Sequence, residues 1–174
     1  MPDVAARLLD LVALLVEHRV TRPALPQGMS PLEWSALRYL ANHAPSSLSD
    51  AAEVLGVGRP TASRLYQRLE GWGWVHRGPG AGDLRYVALE LTEAGRRLVE
   101  DVAERRRREL DRLLRRMNPE ELRALLNGAR AFVQASLQLP DFDPELCLRC
   151  QGRAEILCPG VVQALREQAR IRPG

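Results

Sequence analysis

The stretch GVGRPTASRLYQRLEGWGWVHR, Gly56 to Arg77, decides the architecture of this chain. The segment before it, SLSDAAEVLG, reads as a short helix capped by Ser47 or Ser49 and closed by Gly56. Hydroxyl side chains accept the unpaired N–H groups of a first turn, and glycine ends a last turn without steric cost. Val57-Gly58 is a tight turn, and Arg59-Pro60 opens a second helix that ends at Gly71 or Gly73. Two short helices joined by a glycine turn form a helix-turn-helix. The period then changes to two. WVHR and RYVALEL alternate as strands, and GPGAGDL between them is a turn or hairpin tip. A helix-turn-helix followed at once by a glycine-rich hairpin is a winged helix.

Helices flank this unit on both sides. Residues 3–20 carry Val4, Leu8, Leu9, Leu11, Val12, Leu15 and Val16 around more than one side, so this helix needs cover from a core or from another subunit. TRPALPQGM is a connection punctuated by proline and glycine. Ser30-Pro31-Leu32-Glu33 is a capping box with proline at the first helical position, and the helix it starts is expected to bury Trp34, Leu37, Leu40 and Ala41. Thr92 caps a long helix with Glu93 in its first turn, and Asn118-Pro119 restarts the chain as a helix to about Leu139. LPDFDP breaks that helix, a cysteine-containing segment follows, and VVQALREQAR suggests a last short helix. The expected class is mainly α with a small β-wing. Its parts are an N-terminal helix (1–28), the winged helix (29–91), two long helices (92–139) and a tail (140–174).

Composition bounds the partners. The 174 residues carry a net charge of +3, and every basic residue is arginine. From Gly58 to Tyr86, Arg59, Arg64, Arg68, Arg77 and Arg85 face only Glu70 and Asp83, so this one segment holds a surplus equal to that of the whole chain. In a helix-turn-helix the second helix enters the DNA major groove with its N-terminal end at the base edges. Arg59, Thr61, Ala62, Ser63, Tyr66 and Gln67 lie on or near that end, while Leu65 and Leu69 face the core. Arg59 or Arg64 suits guanine, Gln67 suits adenine and Arg68 suits a phosphate. The hairpin tip ends in Arg85, placed for a minor groove. ERRRREL, Glu104 to Leu110, is read instead as a solvated face, because Val102, Ala103, Leu110, Leu113 and Leu114 form an apolar stripe on the same helix.

The stretch from Met29 to Leu98 resembles the multiple-antibiotic-resistance regulator (MarR) family. The order of helices, the GVGRPTASRLYQRLEGWGWVHR unit, the Asp83-Leu84-Arg85 wing motif and the LTEAGRRL exit carry the likeness. The resemblance implies a homodimer with interlocking dimerisation helices that binds double-stranded DNA at a pseudo-palindromic operator, usually as a repressor released by a signal. It places the family's wing arginine on Arg85, with Asp83 positioning it. Gly58 departs from the family pattern, in which a hydroxyl residue caps the recognition helix.

All three cysteines lie in LCLRCQGRAEILCPG, Leu146 to Gly160. Cys147 and Cys150 have the spacing of two thiolates on one metal ion or cluster, and Cys158 follows after seven residues. Three thiols leave a fourth position for Asp141, Asp143, Glu145 or one of His18, His43 and His76. An iron–sulfur cluster tolerates a non-cysteine fourth ligand, structural zinc wants a fourth Cys or His, and a thiol switch needs no metal. The ligand count favours iron–sulfur over zinc, as the input of a sensor of metal, redox state or a reactive molecule. A dithiol oxidoreductase would need Cys-x2-Cys at a helix start in a βαβ setting, which the tail lacks. With no Ser/His/Asp set and no phosphate loop, the chain is read as a regulator and not an enzyme. The N-terminal run carries Arg7, Asp10 and Glu17, is too short for a bilayer and lacks a cleavage site, so the expected compartment is the cytoplasm, with no membrane partner.

Overall fold

The computed structural model describes residues 1–80 and 83–136, the side chains of 79–87 apart. In chain order the elements are α1 (Pro2–Val16), a wide helical turn at Glu17–Thr21, α2 (Arg22–Ala24), α3 (Pro31–His43), β1 (Ser46–Ser47), α4 (Leu48–Val54), α5 (Arg59–Gly71), β2 (Val75–Gly80), β3 (Asp83–Leu91), α6 (Glu93–Leu114) and α7 (Pro119–Ser136). They fall into two compact units, Met1–Leu113 and Leu114–Gly174.

In the first unit, α3, α4 and α5 pack around the antiparallel sheet β1-β3-β2. Leu37, Leu40, Tyr66, Leu69, Val75 and Leu89 are fully buried in its core. Each such leucine or valine contributes about 1.5–3 kcal/mol by leaving water. The capping box at Ser30 forms: the Ser30 N–H donates to Glu33 Oε2 at 2.7 Å, and the Glu33 N–H donates to Ser30 Oγ at 3.2 Å. α3 buries Glu33, Trp34, Ala36, Leu37, Tyr39 and Leu40. The expected Ala41 is exposed, because the cover along α3 stops at Leu40.

Three local features differ from the sequence reading. Ser46-Ser47 is a strand: Ser46 pairs with Leu89 and Ser47 with Ala88, which adds a third strand to the wing hairpin. Two residues are too few to show alternation. The hairpin strands also run further than WVHR and RYVALEL, with Gly78, Pro79 and Gly80 paired to Ala88, Val87 and Asp83 and an irregularity at Pro79/Gly80. The turn assigned to GPGAGDL is correspondingly shorter. At the N-terminus the helix continues through Glu17–Thr21, with the Arg22 N–H bonded to the Glu17 carbonyl five residues back. Pro23 has no N–H to donate and its ring crowds the carbonyl four residues earlier, which a one-residue expansion of the turn relieves.

The wing is fastened to α6 at one residue. Thr92 Oγ1 donates to the Gly73 carbonyl at 2.6 Å and accepts from the Gly95 N–H at 3.0 Å. The Thr92 N–H donates to the Trp74 carbonyl at 3.0 Å. Gly95 packs so closely on that segment that a Cβ there would lie 2.1 Å from the Trp74 oxygen.

α1 buries no residue, and Val4, Leu8, Leu11 and Leu15 stand exposed along one stripe of it. In the second unit, α7 likewise buries none and exposes Leu122, Leu125, Leu126, Phe132 and Val133. The ERRRREL run is partly paired on its own helix: Glu104 accepts from Arg107 twice at 2.9 Å and pairs with Arg108 at 3.3 Å, while Glu109 pairs with Arg112 beyond the run. Arg107 holds the Glu104 carboxyl below its usual range, chiefly through its hydrogen bond. Among the described residues no helix is long and apolar enough to cross a membrane.

Candidate nucleic-acid interface

α5 starts at Arg59 because Pro60 suits the first turn and the Gly58 carbonyl accepts from the Thr61 and Ala62 N–H groups at 2.9 and 3.0 Å. It ends at Gly71, with Gly73 at φ 74°, a left-handed conformation that glycine adopts without strain. Gly58 supplies no side-chain cap. Its backbone is extended at φ −65° and ψ 148°, and a Cβ there would make only an ordinary 3.7 Å contact with Pro60. Gly58→Ser is therefore expected to stabilise by about 0.5–1 kcal/mol, from the new cap and the stiffer unfolded chain. A thermal melt should show a Tm higher by about 1–4 °C; an unchanged Tm would mean that the start of α5 is not limited by its cap.

The buried face of α5 is Ala62, Leu65, Tyr66 and Leu69. Arg59, Thr61, Arg64 and Gln67 are exposed and Ser63 is half-buried. The structure therefore brings Arg59, Thr61, Arg64 and Gln67 onto the outer surface. Two residues that the sequence placed at the leading end, Ala62 and Tyr66, instead belong to the core, with no exposed area. Burial raises the Tyr66 phenol well above the usual tyrosine range, with Tyr39 adding to the shift, so it stays neutral.

Arg68 is exposed as well, but its guanidinium is tied to the fold. Its Nε lies 3.2 Å from Oε1 of the buried Glu33, its Nη2 donates to the Gly28 carbonyl at 3.1 Å, and its guanidinium carbon stands 4.6 Å from the Trp72 ring centroid. Arg77 on β2 is held as well, donating from Nη2 to the Ser63 carbonyl at 3.0 Å and pairing through Nε with Glu70 at 3.3 Å. Sequence reasoning passed over Glu33 as more than a cap, and over Trp72 and Arg77. The one available signal was Arg68-x-x-x-Trp72, a spacing that puts a guanidinium over a ring on one helix face.

The side chains of Asp83 and Arg85 lie outside the described residues, as do Asp141, Asp143, Glu145, Cys147, Cys150 and Cys158. Of the histidines considered as a fourth ligand, His18 and His76 are exposed, and His43 is stacked on Tyr39 at 5.2 Å between centroids. Among the described residues no three His, Cys, Asp or Glu side chains form a group able to hold a metal.

Comparison with known proteins agrees with this geometry. The family model described as MarR family matches residues 27–85. The HTH-type transcriptional regulator YfiV of Bacillus subtilis is 33% identical over 100 residues, 58% of this chain and 62% of that protein, so the chain spans less than two thirds of its length. The HTH-type transcriptional regulator PecS of Dickeya dadantii is 30% identical over 131 residues, 72% of this chain and 79% of that protein. A solved MarR family protein from Bacillus stearothermophilus superposes with a TM-score of 0.67 at 25% identity, covering 78% of this chain and 95% of that one. With a capped helix-turn-helix, a three-stranded wing and a relative matched over most of its length, the chain belongs to the MarR family of winged-helix transcriptional regulators.

Proposed function

We propose that this protein is a homodimeric regulator that binds a pseudo-palindromic site in double-stranded DNA, acts as a repressor, and takes its input at the three C-terminal cysteines. The observation that carries the DNA reading is the outer face of α5, where Arg59, Thr61, Arg64 and Gln67 are exposed together beside the wing hairpin. The α-helix fits the major groove, where arginine pairs with guanine and glutamine with adenine, each good bidentate pair adding about 1–3 kcal/mol of discrimination. Ser63 sits at the edge of this face, and Arg85, positioned by Asp83, is assigned to the minor groove. The unburied apolar stripes of α1 and α7 support a dimer, since a soluble chain covers such surface with a partner.

Binding to a duplex selected by the protein from a random-sequence pool tests the reading. Arg64→Ala is expected to cost about 1–3 kcal/mol and to relax the preference at one base pair per half-site. Arg85→Ala is expected to weaken binding and lower the slope of log affinity against log salt by about one per subunit. Unchanged affinity in both variants would overturn the assignment.

For the input, Cys147, Cys150 and Cys158 are the proposed ligands of an iron–sulfur cluster or a zinc ion, with a metal-free thiol switch or a small-molecule effector as the competing reading. Their close spacing in sequence supports this, and the reducing cytoplasm, where a DNA-binding regulator works, keeps such thiols free for a metal. A cluster would supply redox sensitivity, and zinc would supply a structural tie. Protein purified without oxygen is expected to be brown, with iron and sulfide bound. A colourless protein with zinc assigns the site to zinc, and a metal-free one assigns it to thiol chemistry. In each case Cys147→Ser should abolish the change in DNA affinity on oxidation or metal removal, and persistence of that change in the variant would remove the cysteines from the switch.

A further inference from the structure

The arginines around α5 divide into two groups, which the charge count alone does not reveal. With 3.6 residues per turn, Leu65, Leu69, Ala62 and Tyr66 cover an arc of about 100°. Arg68 borders that arc on one side, and Ser63 and Glu70 border it on the other. Arg64 and Gln67 lie in the remaining outward arc. On the first border the Arg68 guanidinium reaches the buried Glu33 carboxylate, the Gly28 carbonyl and the Trp72 ring. On the second border Arg77 reaches the Ser63 carbonyl and the Glu70 carboxylate. The helix is thus tied along both edges, by Arg68 to Glu33 and Gly28 and by Arg77 to Ser63 and Glu70.

The partners on the Arg68 side matter most. Glu33 is the residue that closes the cap of α3, with its second oxygen bound to the Ser30 N–H at 2.7 Å. Gly28 belongs to the connection between α2 and α3. One planar side chain therefore joins the recognition helix, the start of α3 and the connection leading back to the N-terminal helix. A fork geometry with several N–H donors can do this, and a single ammonium cannot.

We propose that Arg68 is a positioning residue: it sets the tilt of α5 against α3 and the connection at Gly28, and it leaves phosphate and base contacts to Arg59, Arg64 and Gln67. Arg77 holds the opposite edge. This rests on the DNA-binding reading above and refines it, since two of the five arginines in the basic segment then contribute orientation and not counterion release.

The test uses the full chain and a duplex isolated from a random-sequence pool with the wild-type protein. Affinity is measured across a series of KCl concentrations, with circular dichroism confirming the helical fold of each variant. Arg85→Ala serves as the reference for a counterion-releasing contact and is expected to lower the salt slope by about one per subunit. Arg68→Gln and Glu33→Gln are each expected to weaken binding at least roughly fivefold with the slope unchanged, and the double variant to lose less than the product of the two, as for residues in one network. Arg68→Lys keeps the charge and so the fold, yet is expected to bind as weakly as Arg68→Gln. A misaimed α5 should also lose sequence discrimination, so the penalty for a mismatched base pair, about 5- to 150-fold in specific complexes, should fall toward unity in the Arg68 variants. General destabilisation would leave that ratio intact. The proposal is overturned if Arg68→Gln lowers the slope by about one while Glu33→Gln binds normally, or if Arg68→Lys binds and discriminates as the wild type does. If the wild type selects no duplex at all, the DNA-binding reading fails and this one with it.

Discussion

Gly95→Ala should destabilise the protein by about 3 kcal/mol or more, lowering Tm by about 6–12 °C or further. The sign is the informative part. In an ordinary helix interior, replacing glycine by alanine stabilises by about 0.8–1 kcal/mol through backbone entropy. At Gly95 the added Cβ would sit 2.1 Å from the Trp74 oxygen and 3.0 Å from its carbonyl carbon. Both are backbone atoms, so no side chain can rotate away. The same Trp74 oxygen accepts the Thr92 N–H, and Thr92 caps α6 through the Gly95 N–H. Relief of the clash therefore disturbs the cap as well as the contact. Gly128 in α7 is the control: a Cβ there meets nothing within 4 Å. Gly128→Ala should raise stability by about 1 kcal/mol, and thermal melts of the two variants should move in opposite directions. A stabilised Gly95→Ala would show that α6 does not rest on Trp74.

The double variant Leu8→Glu, Leu15→Glu should convert the proposed dimer to monomer at micromolar concentration. Val4, Leu8, Leu11 and Leu15 lie at successive i, i+4, i+7, i+11 positions, the pattern of a single helix stripe, and all are exposed within the chain. Burying one leucine is worth about 1.5–3 kcal/mol. In a twofold interface each substitution counts twice, so two sites remove four leucines and bring four carboxylates together. The expected loss exceeds about 6 kcal/mol, more than four decades in the dimer constant. Sedimentation analysis of both proteins reads this directly. A double variant that stays dimeric would place the interface elsewhere.

Much of the winged helix was legible because local chemistry specifies it. The Ser30 box and Thr92 satisfy unpaired N–H groups of a first turn as read, and of Ser47 and Ser49, both open to sequence reading, the structure uses Ser47. The alternating strands were equally plain, since pairing on a half-buried sheet demands a period of two. The failures share a cause, which is contact between residues far apart in the chain. Nothing near Ser46 and Ser47 announces pairing with Leu89 and Ala88. Tyr66 follows a polar helix start, and only the packing of α3, α4 and the sheet puts it in the core. The tie of the exposed Arg68 to Glu33 was likewise illegible, because it bridges 35 positions that no local pattern connects. At the interface, composition showed how many arginines were present, and tertiary contacts showed that Arg68 and Arg77 are also tied to other elements.

Ser47 belongs to two elements at once. Its backbone is strand β1, paired to Ala88 of the wing, while its side chain caps α4 by accepting the Asp50 N–H at 3.1 Å. The hairpin and the helix-turn-helix are therefore joined through a single residue that serves both. If α5 and the wing contact DNA as proposed, their major-groove and minor-groove contacts keep a fixed separation. One base pair inserted inside a proposed half-site would shift the two contacts by about 3.4 Å and about 35°, and is expected to weaken binding. The same insertion between half-sites strains only the junction of the two subunits. The proposed operator is therefore expected to tolerate variation at its centre better than within each arm.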